Sequence, residues 1–271
     1  MGSVSLDCTS FLQWCLPKLE MRYEGFRKVR KRPCKKLRRR AQYLGLKSLN
    51  EYQKYLEENH QEWESVDQAL RIFITRFYRD KGTFDYIARF VLPSLRLNQT
   101  LRVLSLGCAA GQEPYTVAML LDTCCPKNNG ADTAIIATDS DSGQLERAKK
   151  GQFYQSEIKE LPPELKASYF QKEIKPQTYT LSETIKKRVT FMNQDVRKEL
   201  PEGHFHLILC RNLVFTYFSE DLQITIGSKI VSKLTPGGYL ILGSHERVPE
   251  KVQNLALYER SHNINRRVAN G

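Results

Sequence analysis

Two rhythms divide the chain. Up to about residue 94, apolar positions recur at three- and four-residue spacings: Leu37, Ala41 and Leu44; Leu49, Tyr52 and Leu56; Val66, Leu70, Phe73 and Phe77. Such spacing lays one apolar stripe along a helix and predicts a helical segment. Pro33 suits the first turn of a helix running to about Leu44, and Gly45 suits its end. Ser48 fits an N-cap, with Glu51 as its capping-box partner.

From about residue 95 short apolar runs take over, at 101–106, 135–138, 189–191, 205–210 and 239–242. Helix-period stretches at 112–123, 142–150 and 219–234 lie between most of them. Buried strands alternating with helices predict an α/β fold with a mainly parallel sheet. Residues 151–188 break the rhythm: Pro162-Pro163 interrupts any long helix, and Gln177 to Ser182 alternates like a half-exposed strand. This stretch reads as an insertion, a small antiparallel subdomain. The predicted organisation is a helical domain over 1–94 and an α/β domain over 95–271.

Charge sharpens that division. The 271 residues carry 42 Lys/Arg against 30 Asp/Glu, a net +12. Residues 21–40 alone hold eleven Lys/Arg against Glu24, so +10 of that excess belongs to one segment. Density this high suits a polyanionic partner, although charge runs are often only solvated helix faces. The only aromatics in the run, Tyr23 and Phe26, stand at its start, and no nucleic-acid-binding motif is present. No apolar run approaches the ~18 residues that span a bilayer. Residues 1–19 lack the basic-then-apolar order of a secretory signal, and Leu6 breaks the myristoylation pattern. The seven cysteines form no C-x-x-C pair, so reduced thiols in a cytoplasmic protein are expected rather than a disulfide framework or a metal site.

Candidate chemistry lies where strands end, because ligands of open α/β sheets bind beyond those ends. The first run leads into Gly107-Cys108-Ala109-Ala110-Gly111-Gln112-Glu113-Pro114. Small residues there allow a tight turn and close backbone approach to a ligand at Gly107 and Gly111, although any α/β domain needs such a turn. The dinucleotide fingerprint and the phosphate-loop lysine are both absent. The second strand ends in Asp139, which suits a ribose diol or caps the next helix, a role Asp141 could fill instead. The third and fourth end in Asn193-Gln194-Asp195-Val196 and Cys210-Arg211-Asn212-Leu213. Their polar groups could complete a nucleoside site or simply bond their own turns.

These residues resemble a known family. Gly111-Gln112-Glu113-Pro114-Tyr115, Ala137-Thr138-Asp139-Ser140-Asp141, Leu209-Cys210-Arg211-Asn212-Leu213 and Pro236-Gly237-Gly238 with Gly243-Ser244-His245-Glu246 look like the CheR-type chemotaxis receptor methyltransferases. Ile74 to Asp80 looks like that family's helix before the catalytic domain, and the basic segment resembles its N-terminal helical domain. The likeness runs from about residue 20 to 260. It implies an S-adenosylmethionine methyltransferase (Rossmann-like) sheet with an N-terminal helical domain and a small inserted β-subdomain.

The resemblance also implies S-adenosylmethionine as cofactor and receptor glutamates as acceptors. Carried over by position, Thr75, Arg79, Glu113, Asp139, Asp195, Val196, Asn212 and Leu213 contact the cofactor. Arg79 and Tyr217 line the reaction site, and the basic segment, with Arg38, Arg39 and Arg40, meets an acidic protein surface or receptor-like helix. A monomer without metal is expected. Two departures stand out: Phe73 replaces a polar residue, and the 213–218 stretch is one residue longer than usual.

A glutamate acceptor is already an anion at neutral pH, so its methylation needs alignment rather than a base. Two alternatives remain: a methyltransferase of this fold acting on a small molecule or nucleic acid, and a non-catalytic S-adenosylmethionine-binding module. For an acceptor needing a base, His204 and His245 are the unassigned candidates.

Overall fold

The computed structural model describes residues 7–73, 75–95, 100–124, 133–173 and 178–268. Leu6, Ile74 and Gln177, named above, and Cys125, one of the seven cysteines, lie outside them. Two compact units emerge. One holds residues 7–73 with Thr216–Leu222; the other begins at Thr75 and holds the rest. The division therefore falls at 74/75, whereas the sequence pattern placed it at 94/95.

The first unit is helical, as its periodicity predicts. Helices Cys8–Cys15, Lys31–Tyr43, Leu49–Glu58 and Trp63–Leu70 bury Phe11, Leu12, Leu37, Tyr52, Leu56 and Val66 against one another. Ser48 Oγ accepts the Glu51 N–H at 3.2 Å, while the Glu51 carboxylate takes the Lys47 N–H at 2.8 Å, one residue earlier than a full capping box. Gly45 ends the basic helix with φ +76°, a left-handed conformation that glycine adopts without strain.

The segment 216–222 rejoins this unit by main-chain bonds. Arg22 N–H donates to Tyr217 O at 2.9 Å and Ser219 N–H to Glu20 O at 2.7 Å. At Gly25 an added Cβ would stand 2.2 Å from Thr216 O, so only glycine permits this approach.

The cysteine expectation is corrected here: Cys8 and Cys34 are joined as a disulfide, with Cα atoms 5.9 Å apart. Cys15, Cys108, Cys124 and Cys210 are free thiols. The bond ties the first turn of Cys8–Cys15 to the basic helix, a tertiary proximity that spacing along the chain does not encode.

The second unit is a twisted α/β sheet. Its strands are β1 (Leu101–Leu106), β2 (Thr133–Asp139), β3 (Gln152–Tyr154), β4 (Phe170–Lys172), β5 (Thr178–Leu181), β6 (Val189–Asn193), β7 (Phe205–Cys210), β8 (Leu234–Leu242), β9 (Leu255–Glu259) and β10 (Ile264–Arg267). Seven of them form one sheet in the order β6-β2-β1-β7-β8-β10-β9. Pairing is parallel from β6 to β8, and antiparallel where β10 meets β8 and β9. All six residues of β7 are buried, which is why this strand reads as a continuous apolar run.

From β1 the chain runs outward through β2 on one side, and later places β7 on the other. The crevice beyond β1 is thus the switch point at which open α/β sheets bind ligands. In the insertion, β3, β5 and β4 form the antiparallel subdomain, packed through Phe153 and Leu181.

The helix expected across Val66–Phe77 stops at Leu70. Among the described residues, 71–80 are not helical: Tyr78 and Asp80 have φ of +57° and +64°, which no right-handed helix accommodates. Phe77 N–H bonds Glu157 O at 3.0 Å and Tyr78 N–H bonds Thr116 Oγ1 at 3.2 Å, so tertiary partners replace the helical ones.

Candidate active site

The turn after β1 shapes the centre of the site. Gly107 and Cys108 donate their N–H groups to Thr138 O at 2.8 and 3.0 Å, folding the turn over the end of β2. Gly107 (φ +69°) has no room for a side chain, since a Cβ would meet Leu213 Cδ2 at 2.7 Å. At Gly111 (φ +86°) an added Cβ would stand only 2.9–3.1 Å from Tyr115, Ala148 and Phe191. Helix Gln112–Cys124 starts directly after.

Asp139, nearly buried, links the turns. Its Oδ2 accepts the Ala109 N–H and its Oδ1 the Asp141 N–H, both at 2.9 Å. The cap of helix Ser142–Lys150 is Asp141, whose Oδ1 accepts Gln144 N–H at 2.9 Å. Of the two roles open to Asp139, capping thus belongs to its neighbour.

At the tip of β7, Asn212 is left-handed (φ +57°), a conformation asparagine tolerates better than most residues. Its backbone is held by Glu246, a buried residue whose carboxylate accepts the N–H groups of Asn212 (2.8 Å), Leu213 (3.1 Å) and Gly243 (2.7 Å). Arg79 Nη2 donates to Asn212 Oδ1 at 3.1 Å. Thr75 opens the same stretch, half-buried.

Beneath them lies Arg211, its side chain 3% exposed. It donates to Arg79 O at 3.1 Å and Glu113 Oε2 at 3.2 Å, pairs with Asp80, and stacks over the Phe84 ring at 5.1 Å. Ser105 Oγ donates to the other Glu113 oxygen at 2.9 Å. Burial raises the Glu113 carboxyl above its usual range, with Arg211 pulling the other way.

These bonds bring Arg79, Gly107, Glu113, Asp139, Asn212 and Leu213 into one cluster at the strand tips. The other predicted residues sit differently. The Asp195 carboxylate accepts Arg197 N–H at 2.9 Å and pairs with the Arg197 guanidinium at 2.6 Å, the turn alternative left open for it. Val196 is buried beside it. Tyr217 and the basic arginines belong to the helical unit. Tyr217 packs its ring on Phe26 at 4.9 Å between centroids. Arg38 and Arg39 are exposed, whereas Arg40 is held by Glu62 through bonds of 2.8 and 2.7 Å, with Tyr52 on the same carboxylate. His204 and His245 are both exposed.

Residues 74–264 match the family described as CheR methyltransferase, SAM binding domain. This chain belongs to the CheR methyltransferase family. It is 33% identical over 220 residues to chemotaxis protein methyltransferase 1 of Pseudomonas aeruginosa, covering 78% of this chain and 80% of that one. It is 32% identical over 215 residues to a chemotaxis protein methyltransferase of Borreliella burgdorferi, covering 75% of each. Among solved structures, the N-methyltransferase NodS of Bradyrhizobium japonicum aligns with a TM-score of 0.39 and 15% identity, over 70% of this chain and 97% of that one.

As a CheR member, the chain is an S-adenosylmethionine-dependent methyltransferase. At Gly107 and Gly111 the space a side chain would need is taken by Leu213, Tyr115, Ala148 and Phe191, so these glycines pack the turn tightly beside the place where that cofactor would sit. Buried Gln194 Oε1, just past β6, has no partner and suits a donor group of such a ligand. Arg211 and Glu246 carry the scaffolding. Neither was singled out from the sequence, although both lie inside motifs that marked the family. Among the described residues, no His/Cys/Asp/Glu group could hold a metal ion. Nor is any described helix long and apolar enough to cross a membrane.

Proposed function

We propose that this CheR member O-methylates glutamate carboxylates of a protein in the cytoplasm, acting as a monomer. The cofactor supplies an electrophilic methyl group on a sulfonium. Asp139, Glu113, Asn212, Leu213, Gly107, Gly111, Thr75, Asp195 and Val196 bind and orient it. Arg79 and Tyr217 are the catalytic pair, holding the acceptor carboxylate in line through a guanidinium and a phenol. Arg38 and Arg39, on the exposed basic face, attract an acidic surface or receptor-like helix; Arg40 stiffens that face from within through Glu62.

The observation that carries this reading is Arg79 at the tip of β7, bonded to Asn212 and backed by Arg211 through its carbonyl. A cation placed there suits an anionic acceptor and repels a cationic one. A carboxylate needs no base, and the unassigned histidines are exposed at other positions.

The test is incubation with methyl-labelled cofactor and a lysate of the source cells, followed by mild alkali. Label on protein that is released as methanol supports the reading. Alkali-stable label on RNA or a metabolite replaces it with an enzyme of the same fold and another acceptor. Cofactor binding without turnover replaces it with a binding module.

A further inference from the structure

Beside the disulfide of the helical unit lies a cavity of about 760 Å³, between the start of helix Cys8–Cys15 and one face of Lys31–Tyr43. Both bonded cysteines line it, although each is only 5–6% exposed. Arg30, Lys31, Lys35, Arg38 and Arg39 surround them. Asp7, the acid among the lining residues, caps helix Cys8–Cys15 by accepting Ser10 N–H at 2.7 Å. The two half-cystines are therefore largely buried and border a strongly cationic, solvent-open space.

That setting has consequences for thiol chemistry. Thiol–disulfide exchange begins with a thiolate and expels a thiolate, so cations around a disulfide stabilise both the approach and the leaving group. They also raise the local concentration of an anionic reagent. We propose that Cys8–Cys34 is a reversible modification site, opened by an anionic thiol reductant that enters the basic cavity.

The exchange balances. A reductant thiolate attacks one cysteine sulfur, forming a mixed disulfide and releasing the other cysteine as a thiolate beside the lysines and arginines. A second reductant thiolate attacks the mixed disulfide, releases the second cysteine and leaves the reductant oxidised as its own disulfide. The two electrons come from the two reductant thiols, whose protons pass to the cysteines.

Opening frees the first turn of Cys8–Cys15, while buried Phe11, Leu12 and Cys15 keep the helix docked. The basic face thus loses one clamp without losing its core. If the proposed function holds, this alters the KM for the acidic acceptor and leaves cofactor affinity unchanged.

A matched pair of reagents tests the site on the full chain: 2-mercaptoethanesulfonate, which is anionic, and uncharged 2-mercaptoethanol. Opening is followed by alkylation and mass spectrometry of Cys8 and Cys34. The sulfonate thiol is expected to act about tenfold faster at low ionic strength. High salt should erase that preference, the Lys31→Gln/Lys35→Gln variant should weaken it several-fold, and Lys35→Arg should retain it. Equal rates for both thiols, or a preference untouched by salt and by charge removal, overturn the proposal, as do Cys8 and Cys34 remaining free thiols after mild oxidation. The acceptor KM is then compared in the two redox forms and in Cys8→Ser/Cys34→Ser; a KM common to all three overturns the regulatory role. Absence of transfer in every form would instead reject the proposed function, and the alkylation result would stand apart from it.

Discussion

The Glu246 carboxylate accepts the backbone N–H of Asn212 at 2.8 Å, tying the turn after β8 to the tip of β7. The same group takes the N–H groups of Leu213 and Gly243, so one buried carboxylate sets the backbone of Asn212 and Leu213, the two residues proposed to meet the cofactor. Glu246→Gln replaces one acceptor oxygen with a donor and strands a buried N–H. That costs about 1–3 kcal/mol. A lower Tm together with a loss of roughly tenfold in cofactor affinity by calorimetry is expected. Wild-type affinity in a folded variant would remove Glu246 from the positioning role.

Asp139 bridges two turns, and Asp141 already caps the following helix. Asp139→Ala removes the carboxylate proposed for the ribose and the bond to Ala109. Cofactor binding should weaken by at least about tenfold, since charge-assisted bonds are each worth ~1.5–3 kcal/mol. Asp141→Ala should lower Tm with a smaller effect on affinity, and equal losses from both would count against a ribose role for Asp139.

Arg79 donates a side-chain bond to Asn212 and lends its carbonyl to Arg211. Arg79→Ala keeps the carbonyl and removes the guanidinium. Turnover should fall by about a hundredfold, the scale of losing a positioning contact near the reacting atoms. Steady-state assay with a carboxylate acceptor measures this, and an unchanged kcat removes Arg79 from the catalytic pair.

Glu62 links the helical unit to acid stability. Hydrogen bonding from Arg40 holds its carboxyl below the usual range, against the effect of burial. A carboxyl with a depressed folded value stabilises above its unfolded value of about 4.3 and loses that contribution as pH falls through the folded value. The wild-type Tm should therefore drop from about pH 5 downward. In Glu62→Gln the Tm should start lower at neutral pH and change less on acidification. Parallel Tm profiles for the two proteins would count against the Arg40–Glu62 pair as the cause.

Much of the parallel sheet was legible because strands buried on both faces are mostly apolar runs, as β1 and β7 are with Arg102, Ser105 and His206 as their polar interruptions. The two closing strands were not: β9 exposes Leu257 and Tyr258, so its pattern carries no buried stripe. The helix read through Phe73 and Phe77 fails because tertiary partners decide those residues; Phe77 N–H reaches Glu157 rather than a residue one turn back. At the site, Asp139 and Asn212 could be read as strand-end polar groups. Arg211 and Glu246 could not be assigned, since a side chain that acts on distant backbone leaves no local periodicity. The Cys8–Cys34 pair was hidden for the same reason.

The excursion of 216–222 into the helical unit makes trimming hazardous. A chain begun at Thr75 keeps Tyr217 and Phe218 but deletes Met21, Arg22 and Phe26, which give them a bridge partner, a main-chain bond and a ring to pack on. Phe218, 5% exposed in the whole chain, would then be bared in the middle of the sequence. The shortened enzyme would carry a sticky internal seam, and aggregation would disguise itself as lost catalysis.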